Sequence, residues 1–276
     1  MQRQEYLTVN GPTRILPVPS LISGQSRRAS RGTGTRSNAT SRRESLEIGW
    51  KDIPESLKDC KGGEFQRTFL EVKNIIAHQL GNGSLKGIKG FIFHGEPGNG
   101  KTLMARVLAK ELHLSLFFVD GSVIARELYG QSERQIVKVF TMAAKKNSLI
   151  LIDDAESVFP DRDWMKGESW HVAQNNILFH QIDDLDTSKT SLIMTTNKFA
   201  LLDNALRDRL YAIEFPPIDE QTAIEVARMK CKEKGLDPAR VEETIRAESE
   251  AFGSGRAIEK LVVREYIRQV GGRTNA

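Results

Sequence analysis

Gly95-Glu96-Pro97-Gly98-Asn99-Gly100-Lys101-Thr102 is the stretch that decides the fold. It fits the pattern G-x-x-x-x-G-K-[ST], and the spacing has a mechanical cause. Glycines let the backbone curl until its N–H groups point inward at phosphate oxygens. Lys101 then reaches the β- and γ-phosphates, and the Thr102 hydroxyl is offered to Mg2+. Upstream, Phe91-Ile92-Phe93-His94 reads as a short apolar strand; downstream, Leu103 to Leu112 reads as a helix. The N-terminus of that helix, from Leu103 on, adds a partial positive charge to the phosphate site. The plain alternative is a Gly-rich turn before an ordinary helix, and the strand–loop–helix context argues against it. These residues predict a chain that binds a nucleoside triphosphate.

Outward from the loop, apolar strands are expected at Phe91–His94, Leu116–Val119, Leu149–Ile152, Leu192–Thr195 and Ala212–Phe215, with helical patterns between them. That alternation predicts an α/β fold, a parallel sheet flanked by helices on both faces. Before the first strand, Phe65, Phe69, Val72, Ile75, Ile76 and Leu80 recur near helical spacing. Pro216-Pro217 breaks the pattern, and three helical stretches follow. Asp219 can cap the first, Gly235 can end it, and Asp237-Pro238 can start the second. The predicted organisation is an arm over 1–45, an α/β nucleotide-binding domain over 46–217, a small all-helical lid domain over 218–271 and a tail over 272–276.

The 276 residues are 39% apolar, enough for a core, and no apolar run is long enough to span a bilayer. The N-terminus lacks the apolar segment of a secretory signal. Cys60 and Cys231 form no C-x-x-C pair, which argues against structural zinc and for a reducing compartment, with cytoplasmic localisation the expectation. Residues 1–45 hold eight arginines, no lysine and two glutamates, a net of +6. The chain's total is +4, so the remainder carries −2 and shows no nucleic-acid footprint. The Arg/Ser-rich arm reads as disordered. Besides a solvated linker, it could touch nucleic-acid phosphates, act as an organelle-matrix transit segment, or dock a partner.

Leu149-Ile150-Leu151-Ile152-Asp153-Asp154-Ala155-Glu156 carries the next signal. A buried strand ending in acids places carboxylates at the C-terminal edge of the sheet, where ligands bind in open α/β folds. Asp153 is expected to hold Mg2+ together with Thr102, and Asp154 to orient or activate the attacking water. Ser191-Leu192-Ile193-Met194-Thr195-Thr196-Asn197 is another strand ending in polar residues, followed by Leu202-Asp203-Asn204-Ala205-Leu206-Arg207-Asp208-Arg209-Leu210.

With these segments the chain resembles the AAA+ ATPases, and within them the AAA subgroup defined by a second region of homology, over roughly 88–265. The resemblance implies ATP and Mg2+, a homo-oligomeric ring, hexameric in form, and a protein substrate or adaptor. Asn197 resembles the sensor-1 residue. Arg209, with Arg207 as the alternative, resembles an arginine finger reaching the neighbouring subunit's ATP; the alternative for both is a solvated helix face. Gly253-Ser254-Gly255-Arg256-Ala257 resembles the sensor-2 segment, in which Arg256 could touch the phosphates; a capping Ser254 and a solvated Arg256 would also explain it. Leu128-Tyr129-Gly130 resembles the first pore loop, though the family usually reads aromatic–hydrophobic–Gly; a core-packed Tyr129 is the alternative. Phe159 to Trp170 would form the next loop, an exposed contact surface or second pore loop. Trp50-Lys51-Asp52-Ile53-Pro54 stands where the family reads Asp-Ile-Gly-Gly, and Ile53 is expected to line the base pocket. Asp153-Asp154 replaces the usual Asp-Glu, which implies slow hydrolysis, and Glu156 is not expected to substitute.

Three functions compete. One is an ATP-hydrolysing, ring-forming protein remodeller or unfoldase. Another is a weakly hydrolysing, nucleotide-dependent binding or assembly module. The last is a DNA-linked AAA+ protein such as a helicase loader, with nucleic acid reached only through the basic arm.

Overall fold

Apolar residues alternate between two buried faces along every central strand, and that alternation builds the sheet. The computed structural model of the chain describes residues 47–82, 88–124, 131–161 and 169–271. The strands are β1 (Glu47–Ile48), β2 (Phe91–His94), β3 (Ser115–Asp120), β4 (Ser148–Asp153), β5 (Thr190–Thr196) and β6 (Tyr211–Glu214). They form one sheet in the order β1-β3-β4-β5-β2-β6, and every pairing is parallel except that of β1 with β3. The five longer strands fall on the expected apolar runs. The two-residue β1 was not expected, because two residues are too few to show a period-2 pattern.

Helices α1 (Gly63–Asn82), α2 (Lys101–Glu111), α3 (Gly121–Ile124), α4 (Gln131–Ala143), α5 (Ser169–Asp183) and α6 (Asn204–Arg209) lie between the strands. Phe91, Phe93, Leu149, Leu151 and Ile193 pack on one face with Phe69, Val72 and Ile76 of α1 and Met104 and Leu108 of α2. Ile92, Ile150, Ile152, Leu192 and Met194 face the other way, against Val139 and Phe140 of α4 and Leu178 and Ile182 of α5. Near-continuous apolar runs are what a parallel sheet covered on both faces requires.

After Pro216-Pro217 come α7 (Glu220–Glu233), α8 (Ala239–Ala247) and α9 (Gly255–Gly271). Asp219 caps α7, its carboxylate accepting from the Thr222 amide at 2.7 Å. The Ala239 amide donates to Asp237 at the start of α8. These helices share their own apolar cluster, including Ile224, Ala227, Cys231, Val241, Ile245, Ile258 and Val262.

Two expectations are corrected here. Ile53 is buried in the core with Cys60, Phe69 and Phe215, because the apolar side chain gains more there than beside a polar ligand. Phe159, expected to begin an exposed loop, is likewise buried, among Val158, Phe179 and Leu202. The arm over 1–45, the loop carrying Leu128, Tyr129 and Gly130, and the tail lie outside the described residues, as does most of the loop after Phe159.

Candidate functional site

The strand order decides which motifs meet. β5 lies between β2 and β4, so the loop after β2, the acids ending β4 and Asn197 after β5 share one sheet edge. Beside that edge, a cavity of about 670 Å3 lies between the sheet and the C-terminal helices, within the range of small-molecule sites. Gly98 to Leu103, Asp153, Asp154, Asn197 and Arg256 all line it. So do Pro54, Cys60, Gly62, Phe65, Thr222, Val226 and Met229, none of which was read from the sequence as a site residue.

The loop's backbone is one that only glycine adopts without strain. Gly95 and Gly100 have φ of 136° and 90°. A Cβ on Gly100 would stand 2.7 Å from the Phe65 ring, so that residue fits for two separate reasons. The Lys101 ammonium donates to the Gly95 and Glu96 carbonyls at 2.7 and 2.8 Å, curling back over the loop. Lys101 is buried, which pushes its ammonium below the usual lysine range; Asp153, Glu156 and Asp154 oppose that shift. The first turn of α2 adds N–H groups with no partner inside the helix. A curled glycine backbone, a helix N-terminus and a buried lysine together form an anion site.

The Thr102 hydroxyl donates to Asp153 Oδ1 at 2.8 Å, joining the loop to β4. The Thr195 hydroxyl also donates to Asp153 Oδ1. A hydroxyl beside a carboxylate is a hard-oxygen donor pair that suits Mg2+, an ion usually held by one or two carboxylates plus substrate phosphates. Among the described residues, no cluster of three His, Cys, Asp or Glu could hold a metal without such help.

Asp154 adopts a left-handed backbone conformation, φ 52° and ψ 49°, where β4 gives way to a turn. Its Oδ1 accepts from Asn197 Nδ2 at 3.1 Å, so the two residues expected to manage a water are in contact. The Asn197 main-chain N–H donates to Glu156 Oε1 at 3.3 Å, which gives Glu156 a part in holding Asn197. Burial raises the Asp154 carboxyl above the usual range; Asp153, Glu156 and Asp120 add to the rise and Arg256 opposes it.

The α6 arginines lie outside the cavity lining. Arg209 Nε donates to Asp183 Oδ1 at 3.1 Å, its Nη1 donates to the Ala205 carbonyl, and its guanidinium sits 4.7 Å from the Phe179 ring centre. Arg207 lies over Phe199 and beside Asn204 and Asp161, with its Nε buried and unpartnered.

Comparison with known proteins places these features in a family context. The model of the family described as "ATPase family associated with various cellular activities (AAA)" matches residues 91–217. The chain is similar to a 26S proteasome regulatory subunit 8 homolog of Saccharomyces cerevisiae, with 31% identity over 199 residues, covering 67% of this chain and 48% of that protein. A Schizosaccharomyces pombe homolog is 30% identical over 67% of this chain and 49% of that protein. The 26S proteasome regulatory subunit 8 of Caenorhabditis elegans is 29% identical over 70% of this chain and 50% of that protein. The chain spans about half the length of the curated relatives it matches.

Proposed function

The chain belongs to the AAA+ ATPase superfamily, and from that premise we propose that it binds and hydrolyses ATP as a ring-forming, hexameric remodeller of protein substrates. The observation that carries the reading is the Thr102–Asp153 hydrogen bond, which joins the phosphate loop to the acid-ended strand at the cavity wall. Loop amides and Lys101 would hold the phosphates, and Thr102 and Asp153 would hold Mg2+. Bound Mg2+ supplies neutralisation of phosphate charge. Asp154, oriented by Asn197, positions the attacking water and accepts its proton. Arg256 approaches from the start of α9, and Arg209 serves the site of the neighbouring subunit.

In the single chain Arg209 is tied to Asp183, so its reach into a neighbour requires that pair to open. A half-exposed pair of this kind is weak enough to exchange for a phosphate. The lid over 218–271 closes the cavity, and a protein substrate or adaptor meets the ring through the loop at Leu128-Tyr129-Gly130. No helix among the described residues is long and apolar enough to cross a membrane. The cytoplasmic setting expected from the sequence rests on Cys60 and Cys231 being free thiols, as a reducing compartment keeps them.

Lys101→Ala is expected to abolish Mg·ATP binding. The wild-type rate per subunit should rise steeply with protein concentration as the shared sites assemble. A rate per subunit independent of concentration would sink the ring. One observation favours a second reading, a weakly hydrolysing switch: Asp154 is one methylene shorter than the usual Glu and is held by Asn197. A large gain in phosphate release on Asp154→Glu would select that reading.

A further inference from the structure

Asn99 occupies a variable position of G-x-x-x-x-G-K-[ST], where phosphate binding asks only for main-chain groups. Its side chain is nonetheless buried. Nδ2 donates to the Phe215 carbonyl at 3.2 Å and to the Pro216 carbonyl at 3.0 Å, partners 116 and 117 residues away in sequence. Reversing the amide would set Oδ1 against two carbonyl oxygens, so the orientation is unambiguous. Oδ1 is left buried without a partner. Burying an unpaired acceptor is unfavourable, so the amide is worth having there for its two donors.

Those donors meet a need of the strap from Phe215 to Ile218, which leads from β6 to α7. Pro216 and Pro217 have no N–H groups, so the strap cannot build a ladder of its own. The Phe215 amide donates to the His94 carbonyl at 2.7 Å, just before the loop. At the other end, the Ile218 amide donates to the Gly253 carbonyl at 2.7 Å, and the Gly255 amide returns to the Gly98 carbonyl at 3.0 Å. A Cβ on Gly98 would lie 3.2 Å from Arg256 Cγ, so the arginine rests on the loop. Loop, strap and the turn before α9 form a closed circuit in which Asn99 makes the side-chain contact.

We propose that Asn99 is a positioning residue whose amide clamps the Phe215–Pro216 strap to the phosphate loop and thereby holds Arg256 at the phosphates. The inference rests on the assignment of this loop to a nucleotide. Asn99 does no chemistry; it acts through the strap and Arg256, so that the placement of the helical part follows the state of the loop.

The test compares full-length wild type with Asn99→Ala, Asn99→Asp, Arg256→Ala and the Asn99→Ala/Arg256→Ala pair. Asn99→Asp keeps the shape and loses the donors, which separates the clamp from packing. In nucleotide-free protein, hydrogen exchange at the Ile218 and Gly255 amides should quicken about tenfold in both Asn99 variants, the size expected for losing such bonds. Exchange in β4 and β5 should match wild type. Mg·ATP turnover should fall about tenfold in either variant, and Asn99→Ala should add nothing to the loss from Arg256→Ala. Unchanged exchange at the two amides, an equal rise throughout the sheet, or additive losses with Arg256→Ala would each overturn the proposal. If wild type fails to bind Mg·ATP, the nucleotide assignment falls, while the exchange result still decides whether the clamp exists.

Discussion

Carboxylates in the helical part and carboxylates at the sheet edge are treated in opposite ways. Glu242 on α8 accepts from Arg228 at 2.6 and 2.8 Å and from Arg246 at 3.1 Å, and the Arg228 hydrogen bond leads in holding its carboxyl below the usual range. Glu265 on α9 is held low in the same way, first by Arg268 and then by Gln269. At the sheet edge, burial and the neighbours Asp153, Glu156 and Asp120 push Asp154 up. Acids in the helices are neutralised within their own fold, whereas acids at the edge are gathered beside one another. Crowding like charges disfavours the folded chain, and a cation supplied with the substrate relieves it. The same residue type thus supports structure in one region and awaits a ligand in the other.

The strongest way to break this contrast is Asp153→Asn. Mg2+-dependent turnover should fall to background, while the melting temperature of metal-free protein should hold or rise because one crowded charge is gone. A clear drop in metal-free stability would show that Asp153 is structural, like Glu242. Arg209→Ala comes next. It should cut kcat by about 10^3 in assembled protein, as for an arginine supplied by a neighbour, and leave single-chain Mg·ATP affinity intact. Full activity in that variant would return Arg209 to a purely structural role with Asp183.

Glu242→Gln should lower the melting temperature by a few degrees and leave nucleotide affinity unchanged. Its pH dependence has a definite sign. The folded carboxyl titrates below the unfolded one, so its contribution is complete above the ordinary glutamate range and is lost as pH falls through the folded value. The wild-type advantage over Glu242→Gln should therefore be flat near neutrality and close in acid, as thermal melts across pH would record. Glu265→Gln should behave the same way with a smaller effect, since one arginine holds that carboxyl where two hold Glu242.

Much of this was legible along the chain. The phosphate loop is contiguous, so its curl and its lysine follow from adjacent residues. The five longer strands were readable because their apolar runs are dictated by two-sided burial. Asp219 was readable as the cap of α7, and Asp237-Pro238 as the start of α8, because such signals act over two or three residues. Ile53 and Phe159 were misplaced because nothing in a short apolar stretch says which side chain turns inward. Pro54, immediately after Ile53, lines the cavity instead. Thr195 lay within a quoted motif, but only the β4–β5 pairing sets its hydroxyl on Asp153.

The local order of residues determined the anion-binding loop, the acid-ended strand, the amide-ended strand and the helical segment after the prolines, because hydrogen-bond geometry and hydrophobic periodicity act over a few residues. Tertiary structure alone decided that β5 would stand between β2 and β4, that Asn197 would hold Asp154, that Arg209 would rest on Asp183 and that Asn99 would reach Phe215 and Pro216. Those contacts join residues from 26 to 117 positions apart. They arise where the packed fold brings distant polar groups within hydrogen-bond reach, most strictly at buried Asn99, and no short sequence window contains both members of such a pair.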